Sequence, residues 1–159
     1  MAFVHPTKYR FYMQRYPDAD SASYPVVDIE EAYDCRYVEL KDLLFNGDVK
    51  NTYSESFAES SGDKVWLPKQ KDLSFKSKEC TLKLRFRDGD VEGRARRFYT
   101  DFRGVKFEYH DTFRNRYASF ILTKEPRIEF QKLTGDTSYM IVSYTLTNFL
   151  GFPYDETRI

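Results

Sequence analysis

The chain predicts a mainly β fold, an antiparallel β-sandwich or split barrel with one packed α-helix, and three observations carry that expectation. Residues 81–87 (TLKLRFR) alternate strictly, with Leu82, Leu84 and Phe86 on one face and Lys83, Arg85 and Arg87 on the other. Residues 90–103 switch to a period of about 3.6, the repeat of an amphipathic helix. Residues 105–148 return to a period of about 2 and are rich in Phe and Tyr, side chains that favour pleated surfaces.

Taken in order, the first 35 residues are the least regular and hold Pro6, Pro17 and Pro25. Within them, 8–16 (KYRFYMQRY) alternates as one strand, stopped by Pro17 and the Ser/Asp cluster of 17–25. Residues 28–33 (DIEEAY) fit a single helical turn. Residues 35–44 (CRYVELKDLL) serve two patterns, with Tyr37 and Val38 fit for a strand and Leu40, Leu43 and Leu44 for a short helix. The pair Asn46 and Gly47 signals a tight turn. Residues 52–72 form an exposed loop, with ESSGDK (59–64) at its centre and almost nothing there to bury. Val65, Trp66 and Leu67 are a brief apolar anchor closed by Pro68. Residues 69–78 then run as a solvated connector pinned at Leu73 and Phe75.

From 78 the pattern sharpens. The strand 78–87 ends at Asp88, Gly89 and Asp90, and either aspartate can accept the free amide protons of the next helix. On that helix, about 90–103, Val91, Ala95, Phe98, Tyr99 and Phe102 share one face, opposed by Glu92, Arg94, Arg96, Arg97 and Asp101. Gly104 stands where a left-handed C-terminal cap is needed. Strands follow at 105–110, 117–124, 127–133 and 138–148, with Pro126 marking an edge or bulge and 134–136 a hairpin turn. In the last strand Met140, Val142, Tyr144 and Leu146 face the core, while Tyr139, Ile141, Ser143, Thr145 and Thr147 face outward. The expected core is Leu82, Leu84, Phe86, Phe98, Phe102, Phe107, Phe120, Leu122, Val142 and Leu146. The segment 149–159 is too apolar to hang free and docks on the body or on a neighbour.

A chain of 159 residues is expected to form a single domain, 1–159, with an irregular segment 1–35, an exposed loop near 52–72 and a β-helix-β core over 78–154. Its 25 basic and 25 acidic residues give a net charge of +0, which argues against sequence-independent phosphate binding as the main task. Cys35 and Cys80 match no metal-site spacing; two reduced, buried thiols are expected, a single disulfide being the alternative. The N-terminus lacks a secretory signal and no apolar run crosses a bilayer, so a soluble chain made in a cytoplasm is expected.

Chemistry finds little support. The only histidines are His5 and His110, and His110 with its neighbour Asp111 on an extended chain points to the opposite face. Ser60 and Ser61 have no base nearby, and Glu30 with Glu31 carries no specific glycosidase signal. No metal-ligand spacing, phosphate loop or nucleophile elbow occurs, so no catalytic residue, cofactor or metal is expected. Arg94, Arg96, Arg97, Arg103, Lys106, Arg114 and Arg116 interleave with aromatics as a base-stacking platform does. Helical spacing, however, sends the aromatics inward and the arginines outward, as a solvated or inter-subunit face requires.

The C-terminal half resembles the N-terminal domain of phage distal tail proteins and, more broadly, the tail-tube family. The likeness rests on the helix EGRARRFYTDF, its Gly, and the run Asp111, Thr112, Phe113, Arg114, Asn115, Arg116, Tyr117 and Ala118, then Thr147, Asn148, Phe149, Leu150 and Gly151. It covers 78–154, about half the chain; the first 35 residues match nothing in it, and the second, carbohydrate-binding-like domain of the family is not expected here. The resemblance implies a phage-tail-tube-like fold and a structural role in a virion or prophage tail. Copies would form a ring, often hexameric, around a channel through which DNA passes only as cargo. Other tail proteins would be partners, and synthesis would take place in a bacterial cytoplasm. Inter-subunit contacts are expected from the loop (Ser60, Gly62, Trp66), the basic helix face (Arg94, Arg97) and the tail (Phe152, Tyr154). The alternative is a carbohydrate- or ligand-binding β-sandwich with exposed Tyr or Trp66 over a groove.

Overall fold

The computed structural model describes residues 11–43, 46–50, 53–56, 63–66, 68–112 and 114–159. The chain is mainly β. Its strands are β1 (Phe11–Arg15), β2 (Val27–Asp28), β3 (Cys35–Lys41), β4 (Tyr53–Ser56), β5 (Asp63–Trp66), β6 (Lys78–Arg87), β7 (Lys106–Asp111), β8 (Arg116–Ile121), β9 (Arg127–Lys132) and β10 (Tyr139–Asn148). Two helices, α1 (Ile29–Tyr33) and α2 (Val91–Phe102), accompany them. Eight strands make one antiparallel sheet in the order β2-β1-β7-β8-β10-β6-β3, with β9 also beside β10; β4 and β5 form a separate hairpin.

The strict alternation of β6 makes the longest ladder, running from Tyr139 opposite Arg87 to Asn148 opposite Lys78. On its other edge β10 is shared. Residues 139–143 pair with β9, and only Thr147 and Asn148 pair with β8. The sheet therefore forks into a β2-β1-β7-β8 half and a β9-β10-β6-β3 half, and folds back as a sandwich. Phe11 of β1 meets Tyr37 of β3 across the core, ring centroids 5.6 Å apart.

Helix α2 fills the fork. Its apolar face sets Phe98 against Tyr144 of β10 at 4.7 Å and Phe102 against Phe107 of β7 at 5.2 Å, joining both halves. Tyr144 donates its hydroxyl to the Ala95 carbonyl (2.9 Å), so a buried polar group is satisfied where the helix meets the sheet. Asp90 caps the helix by accepting from the Gly93 N–H at 2.9 Å. Gly104 is left-handed (φ 70), as its position predicts, but its N–H goes to the Leu122 carbonyl rather than back into the helix. That bond ties the helix end to the chain leaving β8. Each of the ten expected core residues is buried.

One open alternative is settled and three expectations are corrected. Residues 35–41 are a strand and not a short helix, because the free edge of β6 offers backbone partners; a bulge between Tyr37 and Glu39 returns Leu40 to the core face. Gly47 is not in a left-handed turn: its N–H donates to the Gly151 carbonyl (2.7 Å), and a Cβ there would lie 2.2 Å from the Lys76 carbonyl oxygen. Close backbone approach, not hairpin chemistry, explains this glycine. Within the expected loop 52–72, Tyr53 pairs with Trp66 through Ser56 with Asp63 as a hairpin, whose 57–62 connection lies outside the described residues. Trp66 is 41% exposed rather than a buried anchor; Leu67 lies outside the described residues.

Because Phe98 touches Tyr33, Phe102 and Tyr144 at once, Phe98→Ala should destabilise the fold by about 3–5 kcal/mol. Urea unfolding followed by far-UV circular dichroism measures this.

Candidate functional site

Catalytic machinery would need titratable groups converging on a cavity, and among the described residues His110 and Glu108 line one small cavity together with Tyr12, Tyr117 and Thr157. His110 and Asp111 point to opposite faces of β7, as adjacent strand residues must. His110 stacks on Tyr117 with centroids 4.1 Å apart, whereas Asp111 is fully buried and accepts from the Arg114 N–H at 3.0 Å. No group of three or more His, Cys, Asp or Glu able to hold a metal occurs among the described residues. His5, Ser60 and Ser61 lie outside them.

Both cysteines are buried and unpaired, Cys35 accommodated near the Ile29 carbonyl and Cys80 near that of Asp42. Burial pushes the Cys35 thiol up to about 12, helped by the Glu30 charge, and burial pushes Cys80 up to about 11. Neither is a thiolate at neutral pH, so neither is a nucleophile.

Two of the basic residues expected to face a neighbour are occupied within the chain. Arg94 donates to the Asp34 carboxylate (2.7 Å) and to the carbonyls of Arg87 (2.8 Å) and Asp88 (2.6 Å), clamping the end of α1 to the start of α2. Arg97 donates to the Ala32 carbonyl (2.6 Å) and lies over the Tyr33 ring. Tyr33 in turn donates to Asp101 at 2.6 Å; its phenol is pushed up by burial and by that carboxylate.

The tail residues are similarly placed. Phe152 is half-buried against Phe75, and Tyr154 is buried. Glu108, 4% exposed on the outward face of β7, accepts from the Tyr154 hydroxyl (2.8 Å), the Thr157 hydroxyl (2.6 Å) and the Arg158 N–H (2.9 Å). Ser119 joins this network through Tyr154 (2.6 Å) and Tyr16. Burial holds the Tyr154 phenol in its neutral form. The sequence reading missed Glu108; its only signal is a carboxylate in VKFEYHD at a position the sheet hides. Of the seven expected contacts, Arg94, Arg97, Phe152 and Tyr154 bind elements of their own chain, Trp66 lies on the hairpin, and Ser60 and Gly62 fall outside the described residues.

What remains uncovered is β9. All six of its residues are exposed; Ile128 (51%) and Phe130 (50%) stand out with the following Leu133 (52%). One edge pairs with β10, and no described strand pairs with the other. Beside it, α2 and β9 flank an open groove of about 290 Å³ that includes Glu92, Tyr99, Pro126 and Ile128. At the far side of the same half-sheet β3 also has a free edge among the described strands, marked by Val38 at 43% exposure. No described helix is long and apolar enough to cross a membrane. No protein-family model matches the chain and no curated protein matches it.

Thiol accessibility, the pH dependence of stability and a Glu108 variant check this account. The native protein should leave both thiols unreacted with a thiol reagent at pH 8, while denaturant exposes both. Because each folded thiol holds its proton at a pH where the unfolded one has lost it, stability should fall as pH rises from 9 towards about 11–12. Glu108→Gln replaces one acceptor oxygen with a donor against three tail donors; it should cost about 1–3 kcal/mol and speed carboxypeptidase trimming of residues 154–159.

Proposed function

We propose that this chain is a structural subunit, a phage-tail-like building block that assembles with copies of itself into a ring or tube, and not an enzyme. The observation that carries the reading is a pair of edges on one half-sheet with which no described strand pairs, β9 at one side and β3 at the other, with Ile128, Phe130 and Leu133 exposed at β9. An unpaired, apolar edge strand recruits another strand, and a monomer normally blunts it with charge, proline or a covering loop. Here Pro126, the charges of Arg127, Glu129 and Lys132 and the bulge opposite Ile141 and Val142 guard β9 in part, while Ile128, Phe130 and Leu133 stay exposed.

Joining β9 of one copy to β3 of the next is a head-to-tail contact, which closes into a ring when the rotation per subunit divides a full turn. The half-sheets then continue from subunit to subunit around a channel. The β4–β5 hairpin, a separate two-stranded sheet, is the element suited to reach an adjacent ring or another tail protein. In this reading the assembly is a distal-tail-like ring of the virion, often sixfold in the family resembled, and DNA is passing cargo.

Light scattering coupled to size exclusion tests the reading. The chain should form closed oligomers as concentration rises, and Ile128→Lys with Leu133→Lys should return it to monomer without unfolding it. Under oxidation, a variant carrying Val38→Cys and Gln131→Cys should give a ladder of disulfide-linked subunits on a non-reducing gel. A monomer at every concentration with no ladder would sink the proposal.

A further inference from the structure

A net charge of +0 conceals how unevenly charge is laid out on this sheet. The outward face of the β9-β10-β6-β3 half is read directly from the register. One cross-strand row is Lys132, Tyr139 and Arg87; the next is Phe130, Ile141, Arg85 and Arg36. Four cations and two aromatic rings thus occupy two adjacent rows, and no carboxylate of these four strands falls within them. Carboxylates return only in the third row, where Glu39 bonds Lys83 and Glu129 bonds Ser143. At the opposite end Asp88 and Asp136 lie in turns beyond the last row.

We infer that this end of the half-sheet binds single-stranded nucleic acid, with Tyr139 and Phe130 as stacking surfaces and Arg85, Arg87 and Lys132 as phosphate partners. Three features of the face support it. First, its cations are available. The side chains of Arg85, Arg87 and Lys132 make no ion pair among the described residues, and the Arg85 Nε is out of solvent without a hydrogen-bond partner. Arg36 is the exception, held at 3.4 Å by Glu30.

Second, the aromatics stand among those cations. Phe130 is 50% exposed and Tyr139 is half-buried; their rings meet edge to face at 5.6 Å, which leaves ring surface to the solvent side. Helix α2 fails this condition, because its aromatics lie inward and its arginines outward. On an open sheet, alternate residues of neighbouring strands share one surface, about 4.8 Å apart between strands. Third, the shape selects a single strand. Stacking needs bases with a free π-face, which a duplex does not offer along its length, and base–aromatic stacking is indifferent to sequence. The carboxylates at both ends limit the site to a few nucleotides. One copy of the chain carries the whole face, so the inference stands apart from assembly into a ring.

The probe is a fluorescein-labelled deoxythymidine oligomer, titrated with the full chain and followed by anisotropy. Binding is expected at low salt and should weaken steadily as salt rises. Arg85→Glu with Arg87→Glu should weaken it at least tenfold, and Tyr139→Ala or Phe130→Ser about fivefold or more. Lys50→Glu, an exposed charge elsewhere, should change nothing, and circular dichroism confirms that each variant is folded. The proposal is overturned by no anisotropy change at low salt, or by binding that survives both the charge reversal and the exposed Phe130→Ser change. Displacement by polyglutamate as effective as by unlabelled oligomer, with Tyr139→Ala neutral, would overturn it too and assign the face to an acidic protein.

Discussion

Everything in this fold hangs on the ten-residue ladder between β6 and β10. Cys80, Leu82, Leu84 and Phe86 oppose Leu146, Tyr144, Val142 and Met140, so one face of the pair is continuous hydrocarbon and aromatic ring. A slip of one residue would turn Lys83 and Arg85 into the core and send Leu82 and Leu84 to water, so the register is strongly fixed. The second edge of β10 is divided between β9 and β8, and that division makes the sheet fork. No described strand pairs with residues 144–146 there, and α2 docks at that place, with Tyr144 bonded to Ala95. Fork, helix seat and sandwich follow from one strand serving two neighbours.

Polar side chains then hold what burial alone leaves loose. Helix α1 is five residues long, too short to persist by itself. Arg94 and Arg97 fasten it by hydrogen-bonding carbonyl oxygens at its C-terminal end, where partial negative charge accumulates. Arginines of an exposed helix face therefore work as intramolecular ties. The charge left for other molecules includes that on the sheet, where Arg87 and Lys132 are exposed.

The legible part of the sequence was the part where local pattern and tertiary context agree. Residues 78–148 alternate, switch period and alternate again, and the strands and helix fall within a few residues of those expectations. Pattern failed where a partner distant in sequence decides. Residues 35–41 carry both strand and helix signals, and only the free edge of β6 settles the matter. Gly47 looked like a turn glycine because a neighbouring Asn is the usual turn signature; the demand on it comes from the Lys76 carbonyl far along the chain. Glu108 could not be distinguished from other acidic residues, because what makes it special is a segment some fifty residues later. The cationic rows were invisible in the charge total, since strand order, not composition, brings Lys132, Arg87, Arg85 and Arg36 together.

The Glu108 clasp has a kinetic consequence. Its three bonds join residues separated by 46, 49 and 50 positions. Such contacts form late, because the β7–β8 surface that receives them must exist first and the loop-closure entropy has to be met. The last segment is thus the final piece to settle and the first to let go. Amides of 154–158 should exchange with deuterium through local opening, well ahead of those in the central ladder, and the molecule would loosen from this seam before it melts.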